Sequence, residues 1–138
     1  MPTRVSELMT TDVATVGGPA TIQDAATVMR DRSIGDVVVT SNGSVIGILT
    51  DRDIVVRALA DGLGPTTTVE SVLTGEVHTL DSDDPIARAT QLMREHNIRR
   101  MTVMSAGTLV GIVSLGDLAE ERDAESVLGA ISAAPPNN

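Results

Sequence analysis

Gly47-Ile48-Leu49-Thr50-Asp51-Arg52-Asp53-Ile54 and, further on, Gly111-Ile112-Val113-Ser114-Leu115-Gly116-Asp117-Leu118 read as one pattern written twice. In each copy a glycine opens an apolar run, a hydroxyl residue ends it, and an Asp follows three positions later. The offset between the copies runs backwards without a gap. It matches Val13 with Val77, Thr15 with Thr79, Ile22 with Ile86, Met29 with Met93, Arg30 with Arg94, Ile34 with Ile98, Val39 with Val103 and Gly43 with Gly107. A fixed period of this kind decides the architecture before local propensity is consulted. The chain is a tandem duplication.

Within each copy the elements follow the order β-α-β-β-α, which makes the fold class α/β (α+β). In the first, Val5 to Met9 reads as a short helical lead-in and Val13 to Val16 as an extended piece. Thr21 with Asp24 has capping-box spacing. Ile22, Ala25, Ala26 and Met29 then form one apolar stripe of a helix. Val37-Val38-Val39 is a β-branched strand, Ser41-Asn42-Gly43 the hairpin turn, and Val45 to Leu49 the return strand. A helix runs from near Asp51 to about Ala60, and the stretch Asp61 to Thr68 breaks it. In the second copy Val69 to Leu73 is the lead-in, and Val77 to Leu80 is extended. Asp84 is read as the cap of a helix with Pro85 at its first position. Met101 to Met104 and Leu109 to Val113 are the hairpin strands, joined at Ala106-Gly107. The expected boundaries are 1–64 for the first repeat and 65–124 for the second. Residues 125–138 are expected to form a helical extension and a disordered tail, with Val127, Leu128 and Ile131 packing on a second subunit or closing the core.

Composition narrows the function classes. The chain has 138 residues, a net charge of −9, no cysteine and no Phe, Trp or Tyr. Two units this small would each be marginal alone, so they are expected to share one cooperative body. Absence of aromatics and excess acid both argue against nucleic-acid binding, which uses base stacking and basic surface. Without cysteine there is neither a disulfide framework nor a thiolate metal site. No apolar run approaches a membrane span and the first residues lack a signal-peptide core, so a cytoplasmic location is expected. His78 and His96 do not occupy corresponding positions and read as surface residues. The methionines read as core filler, and Glu120-Glu121-Arg122-Asp123 with Glu125 as a solvated helix face. No nucleophile–base pair, Walker loop or metal motif appears, so the expected answer is no enzyme.

The duplicated G-h-h-[T/S]-x-x-D ending (h, an apolar residue) in a complete β-α-β-β-α context resembles a pair of cystathionine-β-synthase (CBS) domains, the Bateman module. The resemblance spans about residues 4 to 122. The chain also resembles the bacterial proteins that consist of this module alone, including those of the hypoxic-response type. It implies that the two repeats pack through their sheets about a pseudo-twofold axis, that modules pair into homodimers, and that the clefts between repeats take AMP, ATP or another adenosyl ligand. No cofactor is required for such a role. With no attached catalytic domain in this sequence, any effector would be a separate protein partner in trans.

Residue chemistry fits an adenine nucleotide. A strand feeding a helix start offers backbone N–H groups and the positive dipole end to phosphate. Thr50 or Ser114 adds a hydroxyl there, and Asp53 or Asp117 can accept ribose hydroxyls. Val16, Val37, Val38, Leu80 and Met101 are candidates to sandwich a base. The same Thr50/Asp53 and Ser114/Asp117 spacings are also capping boxes that need no ligand, and on spacing alone both readings stand. In nucleotide-binding relatives a basic residue before the first hairpin strand reaches the phosphates. The second repeat has Arg99-Arg100 there, and the first has Gly35-Asp36, with Arg52 as a substitute cation. The Asp117 side is therefore the favoured one. Two functions remain open: a non-enzymatic regulatory module that binds an adenosyl nucleotide, and a ligand-free interaction or stress-response protein with structural clefts.

Overall fold

The computed structural model describes residues 4–73 and 77–124. The expected C-terminal extension and tail, with Val127, Leu128 and Ile131, lie outside the described residues. The elements are β1 (Thr15–Gly17), α1 (Ile22–Arg32), β2 (Asp36–Ser41), β3 (Ser44–Thr50), α2 (Asp51–Asp53), β4 (Thr79–Asp81), α3 (Ile86–His96), β5 (Arg100–Ser105), β6 (Thr108–Ser114) and α4 (Leu115–Ala124). α2 runs straight into a π-helical stretch, Ile54–Leu59. The expected lead-in helices are single 3₁₀ turns, Val5–Glu7 and Val69–Val72.

Each repeat builds a three-stranded sheet, β1-β2-β3 and β4-β5-β6, with the first pair of strands parallel and the second antiparallel. The hairpins turn through residues with positive φ: Asn42 (52°) and Gly43 (81°) in the first, Ala106 (50°) and Gly107 (81°) in the second. Two successive left-handed residues give the turn whose twist matches the strands it joins. α1 opens as expected on Thr21, whose side chain accepts from Asp24 N while Asp24 Oδ2 accepts from Thr21 N, both at 3.1 Å. α3 departs from expectation. Pro85, not Asp84, occupies the cap position and offers no side-chain acceptor. Asp84 instead closes the preceding turn, accepting from Asp81 N at 2.8 Å.

The compact units are offset from the sequence repeats. One holds Val13–Val77; the other holds Met1–Asp12 with His78–Asn138. Each lead-in turn therefore serves the unit built mainly by the opposite repeat. Val5 N donates to Asp84 O (2.9 Å), and Thr10 exchanges two backbone bonds with Ile112 (2.8 and 3.0 Å). Val5 is fully buried among Leu80, Ala89, Met93, Met101, Val103, Val113 and Leu118. In the same way Val69 N donates to Ala20 O (2.8 Å), and Val69 and Val72 complete the core of Ile22, Ala25, Met29, Val37, Val39 and Leu49. The two repeat-opening glycines make room for this exchange: Gly47 lies against Leu73, and Gly111 against Met9 and the Thr10 carbonyl.

Candidate functional site

The two strand-to-helix turns are built alike. Thr50 N donates to Asp53 Oδ2 (2.9 Å), and Asp53 N donates to Thr50 Oγ1 (3.1 Å). Ser114 N donates to Asp117 Oδ2 (2.9 Å), and Asp117 N donates to Ser114 Oγ (3.1 Å). Both are complete capping boxes, in which each side chain satisfies a backbone donor that the helix itself leaves unpaired.

Differences begin with the remaining amides. In the first turn Asp51 N donates to Gly35 O (3.0 Å) and Arg52 N donates to Asp51 Oδ1 (2.8 Å). With the two capping bonds, every N–H from Thr50 to Asp53 is taken internally. This departs from the expectation of unpaired amides at that helix start. In the second turn Leu115 N donates to Arg99 O (2.7 Å). Leucine has no carboxylate to turn back on the next residue, so the Gly116 N–H finds no acceptor among the described residues.

The carboxylates differ too. Asp53 holds Oδ1 3.6 Å from Arg57 Nε, an i,i+4 pair on the same helix. Position 121, where the repeat offset puts Arg57's counterpart, is a glutamate. Sheet register supplies the third contrast. Asp36 stands directly across from Thr50, and Arg100 directly across from Ser114. Directly paired residues share a face, with Cβ atoms roughly 5 Å apart. One turn thus has an acid as its cross-strand neighbour, and the other has a guanidinium. Arg100 is half-buried. Arg52, read as a substitute cation, lies exposed at the first helical turn.

The apolar candidates separate by strand parity. Neighbouring residues of a strand point to opposite faces, so Val37 and Val38 cannot line one surface. Val37 belongs to the core of its unit, and Leu80 and Met101 to the core of the other. All three are at most 1% exposed and sit within those cores. Val38 is equally buried but stands outside the core cluster, on the sheet's other face. Val16 is half-buried against the first core.

The second-repeat counterpart of Val38 is Thr102, which the sequence reading passed over. Thr102 shares its face with Arg100 and Ser114, is 1% exposed, and its hydroxyl has no hydrogen-bond partner among the described residues. The only sequence signal was a hydroxyl where the first repeat has an isosteric valine. A buried hydroxyl without a partner opposes folding by about 1–3 kcal/mol. Thr102→Val should therefore raise the unfolding free energy in urea by about 1 kcal/mol. A loss of stability would show that the hydroxyl is satisfied in solution. The two histidines, read as surface residues, are half-buried (His78) and exposed (His96), and their rings stack 3.7 Å apart, 22° from parallel.

Among the described residues no cluster of three or more His, Asp or Glu could hold a metal ion. No described helix is long and apolar enough to cross a membrane.

Comparison with known proteins places this architecture. The model of the CBS domain matches residues 5–59 and again 69–124. These intervals follow the sequence repeats rather than the compact units. The chain is 43% identical over 115 residues to the CBS domain-containing protein YhcV of Bacillus subtilis, covering 83% of this chain and 82% of that protein. It is 33% identical over 133 residues to hypoxic response protein 1 of Mycobacterium tuberculosis, covering 95% and 93%. Among solved structures it is similar to the CBS domain protein PAE2072 of Pyrobaculum aerophilum complexed with AMP, at 30% identity and a TM-score of 0.79, covering 92% of this chain and 98% of that one. With the doubled β-α-β-β-α unit, the two capped strand-to-helix turns and a family match over most of its length, the chain belongs to the CBS domain family as a tandem pair.

Proposed function

We propose that the chain is a non-catalytic regulatory module that binds one adenosyl nucleotide of the AMP/ATP class at the Ser114–Asp117 turn. In this reading, binding alters how the chain pairs with a second copy or with a separate effector protein. The observation that carries the proposal is the inversion of charge at one register position, Asp36 across from Thr50 but Arg100 across from Ser114. A phosphate is repelled by the first and attracted by the second. At the second turn the open Gly116 N–H and the Ser114 hydroxyl, which accepts from Asp117 N and keeps its own proton to donate, add two donors for an anion. Asp117 spends Oδ2 on its cap. Its Oδ1 edge is left to accept from ribose hydroxyls. The AMP bound by the Pyrobaculum relative supports the ligand class.

The alternative, a ligand-free interaction protein, fits the Thr50–Asp53 turn better. There every amide and one whole carboxylate edge are satisfied by the chain itself. Isothermal titration of AMP into the full chain separates the readings. One site per chain is expected. No heat at millimolar AMP, ATP or S-adenosylmethionine would leave the ligand-free reading standing, and two equivalent sites would contradict the asymmetry of the turns.

A further inference from the structure

One row of side chains crosses each sheet on the face turned away from its core. In the first repeat it is Thr15–Val38–Ile48, and in the second Thr79–Thr102–Ile112. The rows match at both ends and differ only at the centre. There Val38 is fully buried, and Thr102, of nearly the same shape, is 1% exposed with a hydroxyl that has no partner among the described residues. A buried strand position favours a β-branched side chain, and valine supplies one without a polar atom to bury. The hydroxyl is therefore a cost that packing does not require. A buried polar group of this kind needs a reason outside the packing itself. Its surroundings supply one. The repeat that carries the hydroxyl also has Arg100 across from Ser114 and an open Gly116 N–H. The other repeat has valine, aspartate and a closed set of amides at the same three places.

We propose that the Thr102 hydroxyl is the base-reading contact of the nucleotide site at the Ser114–Asp117 turn, and that it gains its partner only from the bound ligand. This rests on the function proposed above and adds to it the residue that selects for the base. Residues two apart on a strand are separated by about 7 Å. Thr102 stands one such step from Arg100, back along β5 from the end that meets the helix start. With phosphate held at Arg100, Ser114 and Gly116, and the sugar at Asp117, the part of the ligand that extends over β5 is the base. The row is open at one end, since Thr79 on β4 is exposed while Thr102 is not. A hydroxyl both donates and accepts, so it can serve the amino group or a ring nitrogen of adenine. Valine at the same place could do neither. The penalty that the free protein carries at Thr102 is relieved on binding, so the contact appears as affinity rather than as stability of the empty fold.

The test is isothermal titration of AMP and of adenosine into the full chain and its Thr102→Val, Thr102→Ser and Arg100→Ala variants, with urea denaturation of each ligand-free protein. Thr102→Val is expected to raise the urea midpoint and yet weaken AMP and adenosine by the same factor, about 5- to 10-fold, the worth of one hydrogen bond. Thr102→Ser keeps the hydroxyl and should bind AMP within about twofold of wild type. Arg100→Ala should weaken AMP more than adenosine, which has no phosphate. A more stable Thr102→Val that binds AMP as wild type does overturns the role of Thr102 and leaves the nucleotide reading intact. Weaker binding together with a lower urea midpoint would make the hydroxyl a structural group already satisfied in the folded chain, and overturns it too. A loss confined to AMP would put the contact on the phosphate and overturn the assignment to the base. Wild type that takes up no AMP overturns the nucleotide reading and the role of Thr102 with it.

Discussion

Asp117→Asn is expected to weaken AMP binding by roughly 10- to 100-fold, while Asp53→Asn leaves it within about twofold of wild type. The range corresponds to loss of a charged hydrogen-bond acceptor, about 1.5–3 kcal/mol at 1.4 kcal/mol per factor of ten. Asparagine is chosen because its amide oxygen can still accept from Ser114 N, as Asp117 Oδ2 does at 2.9 Å. Its other edge becomes a donor, facing ribose hydroxyls that an Asp would have accepted. The helix start thus survives and the sugar contact does not. Asp53→Asn is the internal control, because it makes the same cap with the same geometry beside Asp36 rather than Arg100. Titration of both variants gives the answer directly. Equal losses for the two would show that both turns bind, and no loss for either would reduce both aspartates to caps.

Gly111→Ala is expected to lower the unfolding free energy by about 1–3 kcal/mol, the usual penalty for forcing atoms into a filled site. A Cβ at position 111 would lie 2.5 Å from Met9 Sδ, 2.8 Å from Met9 Cγ and 3.0 Å from the Thr10 carbonyl oxygen. Methionine can swing away. The carbonyl cannot, because Thr10 is held by two backbone bonds to Ile112. Accommodating the methyl group means loosening the N-terminal segment from β6, and with it the buried Val5. Gly47→Ala meets only the methyl groups and Cγ of Leu73, the nearest at 3.1 Å, so its effect should be smaller. Urea denaturation of the two variants checks the order. A larger loss at Gly47 would mean that the first strand-to-lead-in contact, not the second, is the tighter one.

Much of the fold was legible because it is periodic. The duplicated glycine-to-Asp pattern fixed the element order, and Asn42-Gly43 fixed a hairpin whose left-handed pair is found at both residues. The miss at Asp84 came from treating a helix start as a local matter. Asp before Pro reads as a cap, but the carboxylate had a nearer amide in its own turn, at Asp81. Val37 and Val38, both read as candidates to sandwich a base, stand on opposite faces of the sheet by strand parity, Val37 in the core and Val38 outside it. Leu80 and Met101, also read as candidates to sandwich a base, lie buried in the second core, and in sequence an apolar residue near a motif is indistinguishable from one beneath it. Thr102 was overlooked because its significance lies in having no partner, which no sequence pattern records.

The sequence by itself determined the doubling, the strand-to-helix turns and the identity of the charges beside them, since these follow from residue type and spacing. Tertiary structure decided which lead-in completes which core, which amides are already spent, and which apolar side chains face water. Those outcomes depend on groups far apart in the chain meeting in space. Glycine at 111 admits Met9 and Thr10 from about a hundred residues away, and a hydrogen bond or a buried methyl exists only once such a partner has arrived.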